Sequence, residues 1–478
     1  MSPAGVGLRA AVLCLLAWAG LLAADRLYIH PFHMLVYNQS VCEQLERPSE
    51  VPTPDPTFTA VPIQAKTAPV DEEALQERLV AAARGLQGDD KARVAMVGML
   101  LNFLGLRLYR TLAETQAPEA AALLSPTALF GTLTAFYLGA QHPTAGRLQA
   151  FLGVPGENQG CTSRLDGHKV LSALQAIQGL LVLQGGAAGQ ARLRAATVLG
   201  LFTAPGLRLK QPFVGGLAPF APVTLPRSLD LAADPRLAAE RINRFMQAVT
   251  GWKAGSPLRE VSPDSNLVFS ALVRFQGRMK GFSLLPGPRE FRVDNATSVA
   301  VPMLTGTGSF PHWSDARRNL SLTRVPLSAN VGLLLVQPHD PAALAEAEAL
   351  TFQHGLLTWT KHLAPRAVRL TLPQLALRGS YDLQDLLAQA KLSTLLGAEA
   401  SLGGISEDQL RVGQVLNSVL FELKADKGEQ PTGSAHPPTE SAEVLEVTLD
   451  RPFLFAVYDR DSTALHFLGR VTNPQSAA

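Results

Sequence analysis

Few side chains in this chain are spaced for chemistry. His30 and His33 lie three apart, which on a helix would let two imidazoles face one metal ion. Pro31 between them argues against a helix, and no acid or thiol accompanies them at ligand spacing. They read as polar groups on an exposed tail. The run "GTGSFP" (306–311) carries half of a phosphate-binding glycine loop without its remaining spacing, and reads as a turn. There is no G-x-S-x-G, H-E-x-x-H or C-x-x-C. The chain is therefore expected to have no catalytic residue, no metal and no cofactor, and not to be an enzyme.

The first residues point to a compartment. Arg9 gives a positive start, Ala10 to Leu22 are apolar, and Ala23 and Ala24 are small. An apolar core of roughly 7–15 residues marks a secretory signal, while a membrane span needs about 20. Cleavage is expected after Ala24, leaving Asp25 as the new N-terminus. Leu22 stands where a small residue would suit better, so a cut one residue earlier stays open. No later stretch reads as a membrane span, and the mature protein is expected to be secreted, extracellular and monomeric. Cys14 leaves with the signal, and Cys42 and Cys161 remain. In an oxidising compartment they most simply pair, the alternative being two buried free thiols. Sequons at Asn38 (NQS), Asn295 (NAT) and Asn319 (NLS) are candidate N-glycosylation sites. A net charge of +2 with interspersed signs leaves no nucleic-acid footprint.

Those residues need elements to hold them. The stretch 48–69 contains six prolines and reads as an extended linker. "DEEALQERLVAAARGL" (71–86) comes next as a helix with acids in its first turn. From about Ala92 the sequence is globular, interrupted late by the proline-rich 425–443. Helical periodicity marks 94–110, 125–141 (Ser125 as cap, Pro126 in the first turn) and 381–397. The stretches 331–338 and 367–380 are β-rich, and 443–474 reads as strands with a hairpin turn at 459–462. The expected architecture is mixed α/β: signal 1–24, peptide segment 25–34, extension 35–92 and one large domain, 93–478.

Four blocks give that domain a resemblance: "LSPTALFGTLTAFYLGAQHPTAGRLQAFLG" (124–153), "FQGRMKGF" (275–282), "LPQLALRGSYDLQDLL" (372–387) and "RPFLFAVYDRDSTALHFLGRVTNP" (451–474). In this order they resemble the landmarks of the serpin family. The resemblance implies three β-sheets, eight or nine helices, and an exposed reactive loop at about 428–446. Inhibitory serpins insert that loop, once cut, as a strand of the central sheet, which requires a hinge of small residues. Here Gly428 is followed by Glu429, Gln430 and Pro431, with Pro437 and Pro438 beyond. Proline lacks the N–H that a central strand donates, so the expectation is a serpin scaffold without inhibition. An inhibitor acting on a serine protease through 428–446 is the alternative, and a carrier of a small hydrophobic hormone is a third.

Behind the signal, "DRLYIHPFHM" (Asp25, Arg26, Leu27, Tyr28, Ile29, His30, Pro31, Phe32, His33, Met34) resembles the angiotensin peptides. The resemblance implies that renin, an aspartic protease, cuts Met34–Leu35. Angiotensin-converting enzyme would then cut Phe32–His33, leaving the octapeptide Asp25–Phe32 for G-protein-coupled angiotensin receptors. Such a peptide is vasoconstrictor, raises blood pressure and controls salt and fluid balance. It further implies that the Cys42–Cys161 bridge is a redox switch favouring cleavage when oxidised. The residues themselves suggest an accessible, non-helical tail lying outside the core. Pro31 biases His30 toward extended geometry, and Phe32, Met34, Leu35 and Val36 could fill a protease's pockets.

Overall fold

The structure, a computed structural model, describes residues 31–46, 54–116, 121–154, 156, 160–183, 193–354, 356–392, 395–397, 399–426 and 444–475. The signal junction Ala24–Asp25, the peptide residues Asp25 to His30 and the hinge Gly428–Pro431 lie outside the described residues.

The helices begin where capping side chains begin them. After a short 3₁₀ turn, Pro31–Leu35, helix α1 spans Gln39–Leu45, with Asn38 as its cap. Helix α2, Glu72–Arg84, is capped by the Asp71 carboxylate, which accepts from Glu73 and Ala74 N–H, and it buries Leu75, Leu79 and Ala83. Helix α3, Gly88–Thr115, extends beyond the expected 94–110, and its Val94, Val97, Leu101, Leu104, Leu108 and Leu112 form a buried stripe. By length and composition α3 could cross a membrane, which corrects the expectation that nothing after the signal could. Its apolar stripe lies in the protein core. Helix α4, Pro126–Gly139, starts at Ser125, whose hydroxyl accepts from Ala128 N–H at 3.3 Å. It is buried along nearly its whole length. Helix α5 is Thr144–Phe151, and α6, Gly167–Val182, is capped by Asp166. Helix α7, Pro235–Thr250, covers a face of the central sheet.

Gly179 on α6 allows a close approach. A Cβ there would sit 2.1 Å from the Leu79 carbonyl, so only glycine lets α2 lie against α6. Glu72 of α2 also takes the Arg274 guanidinium at 2.6 Å and the Trp252 indole N–H at 2.6 Å.

The strands used below are β1 (Leu193–Thr203), β2 (Val223–Ser228), β3 (Leu267–Met279), β4 (Met303–Asp315), β5 (Leu320–Pro326), β6 (Val331–Pro338), β7 (Ala364–Pro373), β8 (Leu375–Asp382), β9 (Val412–Ala425), β10 (Leu445–Thr448), β11 (Phe453–Asp459) and β12 (Leu465–Val471). A six-stranded sheet runs β8–β9–β3–β1–β2, with Val61–Pro62 on its edge. A nine-stranded sheet runs β10–β7–β4–β5–β6–β11–β12 to Ala122–Leu124, with Phe282–Leu284 paired beside β4. Two further strand pairs are Thr57–Thr59 with Arg208–Lys210, and Arg289–Arg292 with Ser298–Val301. In the central sheet, β9 and β3 pair directly and in parallel, in unbroken register from Val415↔Phe269 to Ala425↔Met279. Phe275, Phe421 and Phe467 stack between the sheets, with ring centroids 5.1–5.4 Å apart.

The expected hairpin at 459–462 joins β11 to β12. Two expectations are corrected. "GTGSFP" is not a turn but the middle of β4. Gly306 lies under the Phe282 ring, where a Cβ would come within 2.9 Å. The helix expected over 381–397 is shorter, Leu383–Gln389. Lys391 takes positive φ, and Leu392 N–H turns back to the Leu387 carbonyl. In keeping with a linker barred from central strands, Thr57–Thr59 and Val61–Pro62 pair at edges, where proline's missing donor costs nothing.

Candidate functional site

The expected cleavage bond, Met34–Leu35, sits against the body rather than on a free tail. Pro31–Leu35 forms a 3₁₀ turn, so the non-helical expectation fails. Proline is tolerated in a first helical turn, where its missing N–H would be unpaired anyway. His33 is exposed, Phe32 and Met34 are partly buried, and Leu35 is 0% exposed. The accessible-tail expectation is thereby corrected. Leu35 and Val36 belong to the same core cluster as Val94, Val97 and Leu101 of α3. Burying a leucine is worth about 1.5–3 kcal/mol, which gives this short segment a reason to stay in place.

Hydrogen bonds fix three successive carbonyls of the segment. The Met34 carbonyl accepts from Arg93 Nε at 3.3 Å, and the Leu35 carbonyl from Asp166 N–H at 2.8 Å. The Val36 carbonyl accepts from Lys169 Nζ at 2.8 Å. Val36 bridges to Leu165 in antiparallel fashion, and Tyr37 N–H donates to the Arg164 carbonyl at 3.1 Å. Residues 35–37 thus pair with 164–166, the turn that leads into α6.

That turn is itself braced. The Tyr137 hydroxyl donates to the Leu165 carbonyl at 2.7 Å. Gln149 Oε1 accepts from Leu165 N–H at 3.0 Å, while its Nε2 donates to the Ser163 carbonyl at 2.8 Å. Burial, then the nearby Tyr37, holds the Tyr137 phenol well above its ordinary pKa, so it remains a neutral donor. Tyr37 is raised too, by burial and then by the Asp166 carboxylate. The Asp166 side chain accepts from His168 and Lys169 N–H and starts α6.

The disulfide closes the other end. Cys42 on α1 and Cys161 are bonded, with Cα atoms 5.7 Å apart and a sequence separation of 119. Both are buried. Asn38 lies between bond and bridge, and its Oδ1 accepts from Val41 N–H at 2.9 Å and from Ser40 Oγ at 3.0 Å. The side chains of Asn38, Asn295 and Asn319 are exposed. Asn295 comes directly after Asp294, whose carboxyl is held low by the N–H groups of Ala296 and Thr297. Asn319 occupies a positive-φ turn.

Sequence reasoning found the bridge, but not the residues that hold the segment around the expected cleavage bond. Arg93, Tyr137, Gln149, Asp166 and Lys169 had no assigned role. The one available signal was Asp166 ahead of the α6 periodicity, which marks a helix cap. Among the described residues no three His, Cys, Asp or Glu side chains are grouped to hold a metal.

A scaffold of this topology, with helices on a sheet whose β3 and β9 meet, defines a class. The serpin (serine protease inhibitor) family matches residues 99–474, and this chain belongs to it. Along its full length it is 67% identical to "Angiotensinogen" of Bos taurus, over 477 residues and 100% of both chains. It is 61% identical to that of Rattus norvegicus and 60% to that of Homo sapiens, again over 100% of each chain. The crystal structure of uncleaved ovalbumin matches with a TM-score of 0.64 at 18% identity, covering 79% of this chain and 100% of that one. That likeness concerns the fold alone.

Proposed function

We propose that this chain is a secreted, non-enzymatic precursor of a vasoactive peptide hormone, from which renin releases Asp25–Met34 by cutting Met34–Leu35. Converting enzyme then trims the product at Phe32–His33 to the octapeptide Asp25–Phe32, the ligand of angiotensin receptors. Residues 1–24 act as the signal, 25–34 as the released peptide, 35–92 as the extension and 93–478 as the serpin domain, in a glycosylated monomer. The full-length identity to angiotensinogens, together with "DRLYIHPFHM" directly behind a signal-like segment, carries this reading.

The geometry suggests how release is controlled. An aspartic protease binds its substrate extended, yet residues 31–35 are coiled and Leu35 is buried. Cleavage must therefore draw on a minor open state, and the apparent affinity for the protease falls with the fraction of chains that are open. Each 1.4 kcal/mol that favours the closed seat lowers that fraction about tenfold. The body thus acts as a brake on release of its own peptide, and whatever loosens the seat raises the rate.

The test is a renin digest of the full chain, with mass spectrometry of the small product and N-terminal sequencing of the large one. Release of "DRLYIHPFHM" with a large product beginning at Leu35 supports the reading. A different start refutes the assigned bond. A stable covalent complex with a serine protease through 428–446 would instead favour an inhibitor.

A further inference from the structure

Two cations, one on α3 and one on α6, reach the backbone of the expected cleavage segment. Arg93 on α3 is tied to Asp90 at 2.7 Å and donates to the Met34 carbonyl. Lys169 on α6 lies 3.5 Å from Asp166 Oδ2 and donates to the Val36 carbonyl at 2.8 Å. Neither cation completes a helix end or a sheet. Each is held by its own helix's carboxylate and spends a donor on a carbonyl 59 or 133 residues away in sequence. The Met34 carbonyl belongs to the expected scissile bond itself, and the Val36 carbonyl lies two residues further on.

We propose that Arg93 and Lys169 form a two-point latch that holds the Met34–Leu35 bond in its closed seat, acting as positioning residues that set how readily the protease gains it. This rests on the reading that Met34–Leu35 is the bond cut. The attacked carbonyl must exchange Arg93 for the protease's own acid, and an extended strand must offer its Val36 carbonyl to the protease rather than to Lys169. Both cations are partly solvated, with side chains 23% and 26% exposed. They are accordingly screened by salt, and each can leave its carbonyl while keeping its carboxylate partner. The Leu35 side chain supplies the seat's burial energy, while the latch sets its register. With the latch removed, the open fraction rises and KM falls, while the chemical step on the bound strand is unchanged.

The experiment uses full-length, disulfide-intact protein with constant glycosylation and compares wild type with Arg93→Met, Lys169→Met, the double variant and Lys169→Arg. A synthetic peptide of residues 25–40 serves as the unlatched substrate. The expected result is a rise in kcat/KM of about threefold to tenfold for each methionine variant. It should be larger for the double variant and carried by KM. Lys169→Arg, which keeps the cation, should return most of the way to wild type. Raised salt should accelerate cleavage of wild type but not of the double variant. Unchanged kinetics in the double variant, with the peptide still cut at Met34–Leu35, would overturn the latch. An equal rise in Val249→Ala, a destabilised variant remote from the seat, would overturn it as well. If the peptide is not cut at that bond, the underlying reading fails and the latch with it.

Discussion

The backbone N–H of Asp166 donates to the carbonyl of Leu35 at 2.8 Å, while the Asp166 side chain starts α6 by capping His168 and Lys169. One residue therefore begins a core helix and holds the cleavage segment. A disturbance of the turn that carries it would reach the bond proposed for cleavage directly, through the Leu35 carbonyl.

The first prediction concerns the bridge. Cys161 lies three residues before the Arg164–Asp166 turn, and its bond to Cys42 anchors α1 just beyond the seat. In the chain-entropy account, closing a loop of this length is worth about 4–5 kcal/mol. Reduction, or Cys161→Ser, should lower the melting temperature and change kcat/KM for renin relative to the oxidised form. Kinetics on all three forms check this. Identical kcat/KM throughout would leave the bridge as a passive staple.

The second prediction concerns the loop around 428–446. Strands β3 and β9 are already hydrogen-bonded along eleven consecutive register positions, a ladder that any inserted strand would have to break. Pro431, Pro437 and Pro438 could not replace the lost donors. Cutting the loop with a broad-specificity protease should leave the melting curve nearly where it was. A rise of tens of degrees would show insertion and restore the inhibitor reading.

The third prediction is a pH dependence. Burial pushes the Asp382 carboxyl up to about 6, against an ordinary value of 3.8, while the N–H groups of Gln384 and Val415 pull it the other way. The folded protein therefore holds this proton more tightly than the unfolded chain does. The associated stability is complete below about pH 4 and is lost as pH rises toward 6. At roughly 1.4 kcal/mol per unit the swing is about 2–3 kcal/mol. Asp382→Asn keeps a competent helix cap and removes the charge, so it should be more stable than wild type at neutral pH and show a flatter profile between pH 4 and 6. Denaturant titrations at several pH values measure this, and a parallel pair of profiles would refute it.

The fourth prediction tests the docking of α2. Gly179→Ala places a methyl 2.1 Å from the Leu79 carbonyl and 2.9 Å from Ala83 Cβ, so α2 must shift. A loss of about 1–3 kcal/mol is expected, with faster limited proteolysis in 71–86. The Arg274–Glu72 pair, a single partly exposed contact, should not hold the helix alone. Proteolysis rates equal to wild type would show that the interface absorbs the methyl.

Much of the scaffold was legible because it depends on local rules. Asp71 and Ser125 cap the helices expected directly after them, and the polar run at 459–462 makes its hairpin. The seat was not legible, for a reason that lies in residue type. Leu35 and Val36 have the same apolarity whether they fill a protease's pockets or the protein's own core, and periodicity over two residues separates nothing. By its chemistry Pro31 reads as a barrier to helix, although a first-turn position accommodates it. The bonds from Arg93 and Lys169 end on backbone carbonyls, which every residue carries, so sequence offers no trace of them. Similarly, the shortening of the 381–397 helix depends on Lys391 adopting positive φ, a conformation for which lysine gives no sign.

With the chain cut at Met34–Leu35 as proposed, complete burial of Leu35 would also govern the fate of the product. Hydrolysis converts the Leu35 amide nitrogen into a free α-amino group that is largely protonated at neutral pH. The seat from which it came is 0% exposed, and returning the residue there would strip water from a charge. Return of the product's new terminus to the seat of the intact chain is therefore disfavoured. Peptide release is a ratchet: the residue that kept the segment shut in the precursor becomes, by gaining one charge, the residue that keeps the product open.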